Sequence, residues 1–93
     1  MNEIKVGNSE FFIEDEQDKR LAEITFYNKD ETTIVIDHTY VHEALRGQSI
    51  ARMLVNKVVS FARQNNKKII PECSYAYKIL TSSEEFNDII KKD

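Results

Sequence analysis

"HTYVHEALRGQSIARMLV", His38 to Val55, changes its periodicity halfway along. Up to Val41 it continues an alternating run that starts at Thr32 and is rich in β-branched residues, the pattern of a strand. From about Gln48 to Asn65 the apolar residues recur at Ile50, Leu54, Val58, Phe61 and Ala62, the stripe of an amphipathic helix. Arg46-Gly47 sits between the two patterns, and the chain has only one other glycine, Gly7. A helix start exposes unpaired N–H groups with a partial positive charge and so attracts phosphate. Glycine there lets the backbone approach closely, and Arg46 adds a planar cation suited to phosphate oxygens. No Gly-Lys-Ser/Thr follows as in a P-loop, and no further glycines complete a dinucleotide fingerprint. Read alone, the junction is equally a turn that needs glycine.

Upstream, Ile4-Lys5-Val6 is a short alternating segment closed by Gly7-Asn8. Phe11-Phe12-Ile13 makes a second strand, and Leu21 to Tyr27 a third with Ala22, Ile24 and Phe26 on one face. Thr32 to Val41 is the fourth. Short polar turns join them, so an antiparallel meander is the economical topology. Downstream of the helix, Lys67 to Pro71 reads as a fifth strand, and a strand–helix–strand unit pairs in parallel. The expected fold is therefore α+β: a mixed, mainly antiparallel sheet, one long helix and short C-terminal helices. The last of these opens at Ser83-Glu84-Glu85-Phe86, capped by Ser82 or Ser83, and contains Ile89 and Ile90. Pro71 cannot donate to a ladder, so strands four and five should part there and leave a V-shaped cleft.

Composition bounds the rest. The 93 residues suffice for one domain, and 41% hydrophobic with 31% charged residues is the make-up of a folded globule. A net charge of −3 argues against nucleic-acid binding. Arg52, Lys57 and Arg63 read as the solvated face of the helix. No apolar run approaches the roughly 20 residues of a membrane span, and residues 1–5 do not form a signal peptide, so a cytoplasmic location is expected. Cys73 is the single cysteine, which rules out an internal disulfide.

An antiparallel meander followed by strand–"ALRGQSIARMLV"–helix–strand resembles the GNAT superfamily of acyl-CoA-dependent N-acetyltransferases. The piece that carries the resemblance is the pyrophosphate loop Gln/Arg-x-x-Gly-x-Gly/Ala, here Arg46-Gly47-Gln48-Ser49-Ile50-Ala51. Arg46 and Ala51 fit this pattern. Ser49 replaces the central glycine, a departure that is tolerable where the backbone is already helical. "IIPECSYAYKIL" is similar to a very small subfamily with a Pro-x-Cys-x-Tyr segment. The resemblance implies that residues 46–51 hold the pyrophosphate of acetyl-CoA and that the pantetheine arm runs beside Thr39, Tyr40 and Val41. It also implies that the thioester arrives near Cys73, and it adds Tyr77 to the cofactor side. No metal is expected.

Two helices that shape the acceptor pocket in full-length relatives have no counterpart, because Gly7-Asn8-Ser9-Glu10 leaves room only for a turn. The expected acceptor is thus a large amine, a protein or a polyamine, or else a partner completes the pocket. Candidate catalytic groups are Cys73, His38 and Tyr75. A Cys73 thiolate can carry the acetyl group in a two-step route. His38 alternates with Ile34, Ile36 and Tyr40 and so falls on an apolar face, either as a packed histidine or as a base beside Cys73. Tyr75 or Tyr77 can protonate departing CoA, or both can simply pack on the sheet. His42 and Glu43 are expected to be solvated or capping. The alternative to an enzyme is a non-catalytic acetyl-CoA-binding or interaction module.

Overall fold

The structure, a computed structural model, describes residues 3–91. Strands β1 (Lys5–Gly7), β2 (Glu10–Glu14), β3 (Arg20–Asp30) and β4 (Thr33–Val41) pair antiparallel in sequence order. Helix α1 (Ile50–Gln64) then crosses over to β5 (Lys68–Pro71), which pairs parallel to β4. Helix α2 (Ser74–Thr81) follows, and one-turn 3-10 helices occupy 43–45 and 84–86. The mixed sheet, the long helix and the strand boundaries agree with the sequence patterns to within a few residues.

The core lies between one sheet face and the helices. Ile13, Ala22, Ile24, Ile34 and Ile36 from the strands meet Leu54, Val58 and Ala62 of α1 and Ala76 and Leu80 of α2, all without solvent exposure. At 15 residues, α1 depends on this packing more than on its own propensity. Phe26 joins helix to sheet, its ring 6.0 Å from that of Phe11 and 5.4 Å from that of Phe61.

Two expectations are corrected. Ile89 and Ile90 are not helical: after the 3-10 turn Glu84–Phe86, capped as expected by Ser83, residues 87–89 form a further turn that brings Ile90 beside β5. Ile90 bridges Ile69 in parallel, Ile69 donates to the Ile89 carbonyl (2.8 Å) and Lys91 to the Ile69 carbonyl (2.9 Å). Isoleucine prefers extended backbone, and the free edge of β5 supplies the partner.

The second correction concerns His38. Thr25 faces His38 but the next residue, Phe26, faces Ile36, so Asp37 is an extra residue in β4, a β-bulge. Thr25 donates its hydroxyl to Asp37 Oδ1 at 2.7 Å, which anchors the bulged residue. One inserted residue reverses the alternation that follows it. Ile36 is buried; beyond the bulge, Thr39 and Val41 turn inward while His38 and Tyr40 face the open side of the sheet. His38 is therefore not on the apolar face.

Candidate functional site

The β4–α1 junction is built by local capping. His42 Nδ1 accepts from the Ala44 N–H (3.0 Å) and starts the turn Glu43–Leu45, whose buried Leu45 anchors the loop to the core. Gly47 has φ +84°, a left-handed conformation that favours glycine, and a Cβ built there would meet nothing within 4 Å. The glycine serves the turn, and the space in front of it is open. Ser49 is not helical, contrary to expectation: it is the residue before α1 and adopts φ 60°, ψ 27°. The central glycine of the loop pattern thus meets a real backbone demand, which serine satisfies here at a cost of about 1 kcal/mol.

Ser49 makes no side-chain cap bond to α1, so the first N–H groups of the helix keep their hydrogen-bonding capacity. The start of the helix lies at a cavity of about 200 Å³ lined by Val41, Leu45, residues 46, 47 and 49–51, and Tyr75. Gln48 is exposed and does not line it. Arg46 stands at the rim, with its Nε–H on the Val41 carbonyl oxygen at 3.3 Å. Open space, helix N–H groups and an arginine fork together fit a diphosphate.

Beside the cavity the sheet parts as Pro71 predicted. Pro71 faces Ile36, and the N–H groups of Glu72 and Cys73 both reach the Ile36 carbonyl (3.0 and 3.1 Å), after which β4 continues without β5. The His42 N–H bonds the Leu21 carbonyl on β3, so by strand alternation Tyr40 also turns its backbone toward β3. The N–H and C=O groups of Thr39 and Val41 face the gap instead. Of the three residues assigned to the pantetheine arm, only these two offer backbone groups to it.

Cys73 closes the gap as the residue preceding α2. Its Sγ lies 3.3 Å from Thr39 Oγ1. Partial burial pushes the thiol pKa up, but the Thr39 hydroxyl and the N–H groups of Ala76, Tyr75 and Thr39 outweigh it, and the net shift is below the ordinary value. Such surroundings at a helix N-terminus favour the thiolate form. Sequence reading picked out Cys73 and the helical turn after it, but not that the start of this helix, α2, sets the sulfur against Thr39. The run Ser74-Tyr-Ala-Tyr-Lys-Ile-Leu80, with Ala76 and Leu80 at i, i+4, was the available signal.

The remaining candidates separate. Tyr75 lines the cavity, whereas Tyr77 is exposed and does not. His38 Nε2 is 3.3 Å from Glu23 Oε2, on the face opposite Cys73, with its side chain 55% exposed. No cluster of His, Cys, Asp and Glu suited to a metal occurs among the described residues.

Comparison with known proteins bears on what this junction is. The sequence profile described as GCN5-related N-acetyl-transferase matches residues 10–89. The chain belongs to this family. By family it is an acyltransferase enzyme, and GCN5-related N-acetyltransferases generally use acetyl-CoA as acyl donor. No curated protein matches the chain. A GCN5-like protein of Staphylococcus aureus, solved by NMR, is 41% identical with a TM-score of 0.83, covering 98% of this chain and 89% of that one. Two members of the same fold are more distant. Ribosomal-protein-alanine N-acetyltransferase from Brucella melitensis biovar Abortus 2308 is 18% identical (TM-score 0.60; 90% of this chain, 61% of that one). An acetyltransferase of the GNAT family from Staphylococcus aureus Mu50 is 16% identical (TM-score 0.59; 67% and 40%).

Proposed function

We propose that this domain binds acetyl-CoA at the β4–α1 junction and transfers its acetyl group to an amine, with Cys73 as the carrier. The observation that carries this reading is that one cavity joins the helix N-terminus, Arg46 and Tyr75, and that Tyr75 lies two residues beyond Cys73, whose Sγ stands 3.3 Å from Thr39 Oγ1 where α2 begins. Acetyl-CoA is the acyl-donor substrate. Its diphosphate is held by Arg46 and the N–H groups of residues 47 and 49–51, and its pantetheine arm by the Thr39 carbonyl and the Val41 N–H in the gap.

The Cys73 thiolate attacks the acetyl carbonyl carbon, the bond from that carbon to the CoA sulfur breaks, and the acetyl group becomes a thioester on Sγ. We assign to Tyr75 the protonation of the departing thiolate. A neutral amine then attacks the acetyl carbon, the bond to Sγ breaks, and the Cys73 thiolate returns. The proton lost by the amine restores Tyr75. The two-residue turn Asn8–Ser9 between β1 and β2 leaves the acceptor side uncovered, which suits a protein amine or a polyamine. The same open side favours one other reading, a domain that binds acetyl-CoA without turnover.

Intact mass after incubation with acetyl-CoA tests the proposal. A gain of one acetyl group, abolished in Cys73→Ser and discharged by added amine, is expected. Bound CoA with no adduct and no turnover on proteins or polyamines selects the binding module. Unmoved amide resonances from Arg46 to Ala51 under CoA titration would sink both.

A further inference from the structure

The end of β5 creates a local problem at Thr39. The Ile36 carbonyl takes the last two N–H groups of the departing chain, and the Thr39 N–H, which also faces the gap, has no β5 carbonyl opposite. The Cys73 sulfur stands at that place, its Sγ 3.3 Å from the Thr39 hydroxyl oxygen. Thr39 is on the inward side of β4 only because Asp37 bulges, since without the extra residue its side chain would face the open side of the sheet.

We propose that Thr39 is the positioning residue for Cys73, its hydroxyl accepting from the thiol and donating to the thiolate, so that the sulfur stays directed into the gap in both states. A hydroxyl can exchange these roles by rotating its proton, which a backbone N–H cannot do. This assignment rests on the reading of Cys73 as acetyl carrier only for its purpose, not for its geometry. The charged and titratable groups around the sulfur are few. Glu72 adjoins it in the chain and is exposed, Tyr75, Tyr77 and Lys78 are exposed on α2 with Tyr75 at the cavity, and Arg46 is engaged at the cavity rim. Asp37 and His38 face the other side of the sheet through Thr25 and Glu23. None of these bonds Sγ, so the hydroxyl is the side chain whose removal should be felt.

The test is the rate of Cys73 alkylation by iodoacetamide as a function of pH, in the wild type, Thr39→Val and Thr39→Ser. Valine keeps the β-branched shape and the backbone N–H but removes the hydroxyl; serine keeps the hydroxyl. Loss of one hydrogen bond to the thiolate should raise the pH midpoint in Thr39→Val by about one unit, and Thr39→Ser should restore it. Urea unfolding of all three separates this from a loss of fold. A midpoint that does not move in Thr39→Val, or that moves equally in Thr39→Ser, overturns the proposal. A midpoint that moves as expected in a protein that forms no acetyl adduct keeps Thr39 in this role and removes the acetyl-carrier reading.

Discussion

Arg46 donates its Nε–H to the carbonyl oxygen of Val41 across 3.3 Å, tying the first residue of the loop motif to the last residue of β4. The bond engages one nitrogen and leaves the forked end of the guanidinium to meet phosphate oxygens at the cavity rim. Arg46→Ala should weaken CoA binding by about tenfold or more in calorimetric titration, the size of a lost hydrogen bond to a charged group. Arg46→Lys should fall between the two, because an ammonium keeps the charge without the fork. Equal affinities would remove Arg46 from the diphosphate site.

Gly47 makes a different demand. Its φ of +84° is strained for any residue with a Cβ, although the space beside it is empty. Gly47→Ala should therefore destabilise the fold by about 1 kcal/mol through the backbone alone, and Gly47→Asn by less, since asparagine tolerates left-handed geometry. The urea midpoint should fall with its slope unchanged.

His38→Ala should leave the pH profile of Cys73 alkylation where it is, because the imidazole pairs with Glu23 across the sheet from the sulfur. A shifted profile would contradict the bulge at Asp37.

Acid should loosen the β2–β3 end of the sheet. The Arg20 guanidinium hydrogen-bonds Glu10 (2.7 and 3.1 Å) and holds its carboxyl below the ordinary value of 4.5. A depressed folded-state pKa contributes stability that is fully present above that value and lost as pH falls through the lower one. Glu10→Gln should flatten the stability profile below about pH 4.5 and change it little near neutrality, which urea midpoints across that range would show. An unchanged acid limb would mean that the pair does not couple to folding.

Much of the architecture was legible because periodicity reports burial directly. Ala22, Ile24 and Phe26 mark one face of β3, and the stripe from Ile50 to Ala62 marks the core side of α1. Pro71 located the parting of the sheet for a local reason, its missing N–H. What escaped depends on partners distant in the chain. The bulge at Asp37 follows from pairing with Thr25, and without it the sequence puts His38 rather than Thr39 inward. Ile90 leaves the helical pattern and bridges Ile69 only because β5 offers an edge. The left-handed turn at Ser49 is disguised by a residue that seldom adopts it. At the candidate site, Arg46, Gly47 and Cys73 were visible as residue types, whereas the donors around the sulfur arise only when α2 docks.

The bridge that Ile90 makes with β5 has a consequence for how the molecule meets others of its kind. Edge strands recruit foreign chains, and an unprotected edge is a route to aggregation. With β5 covered at Ile69, the described residues leave β1, three residues long, as the opposite border of the sheet. Trimming the C-terminal segment should increase self-association through β5, seen as a larger apparent mass in size-exclusion chromatography.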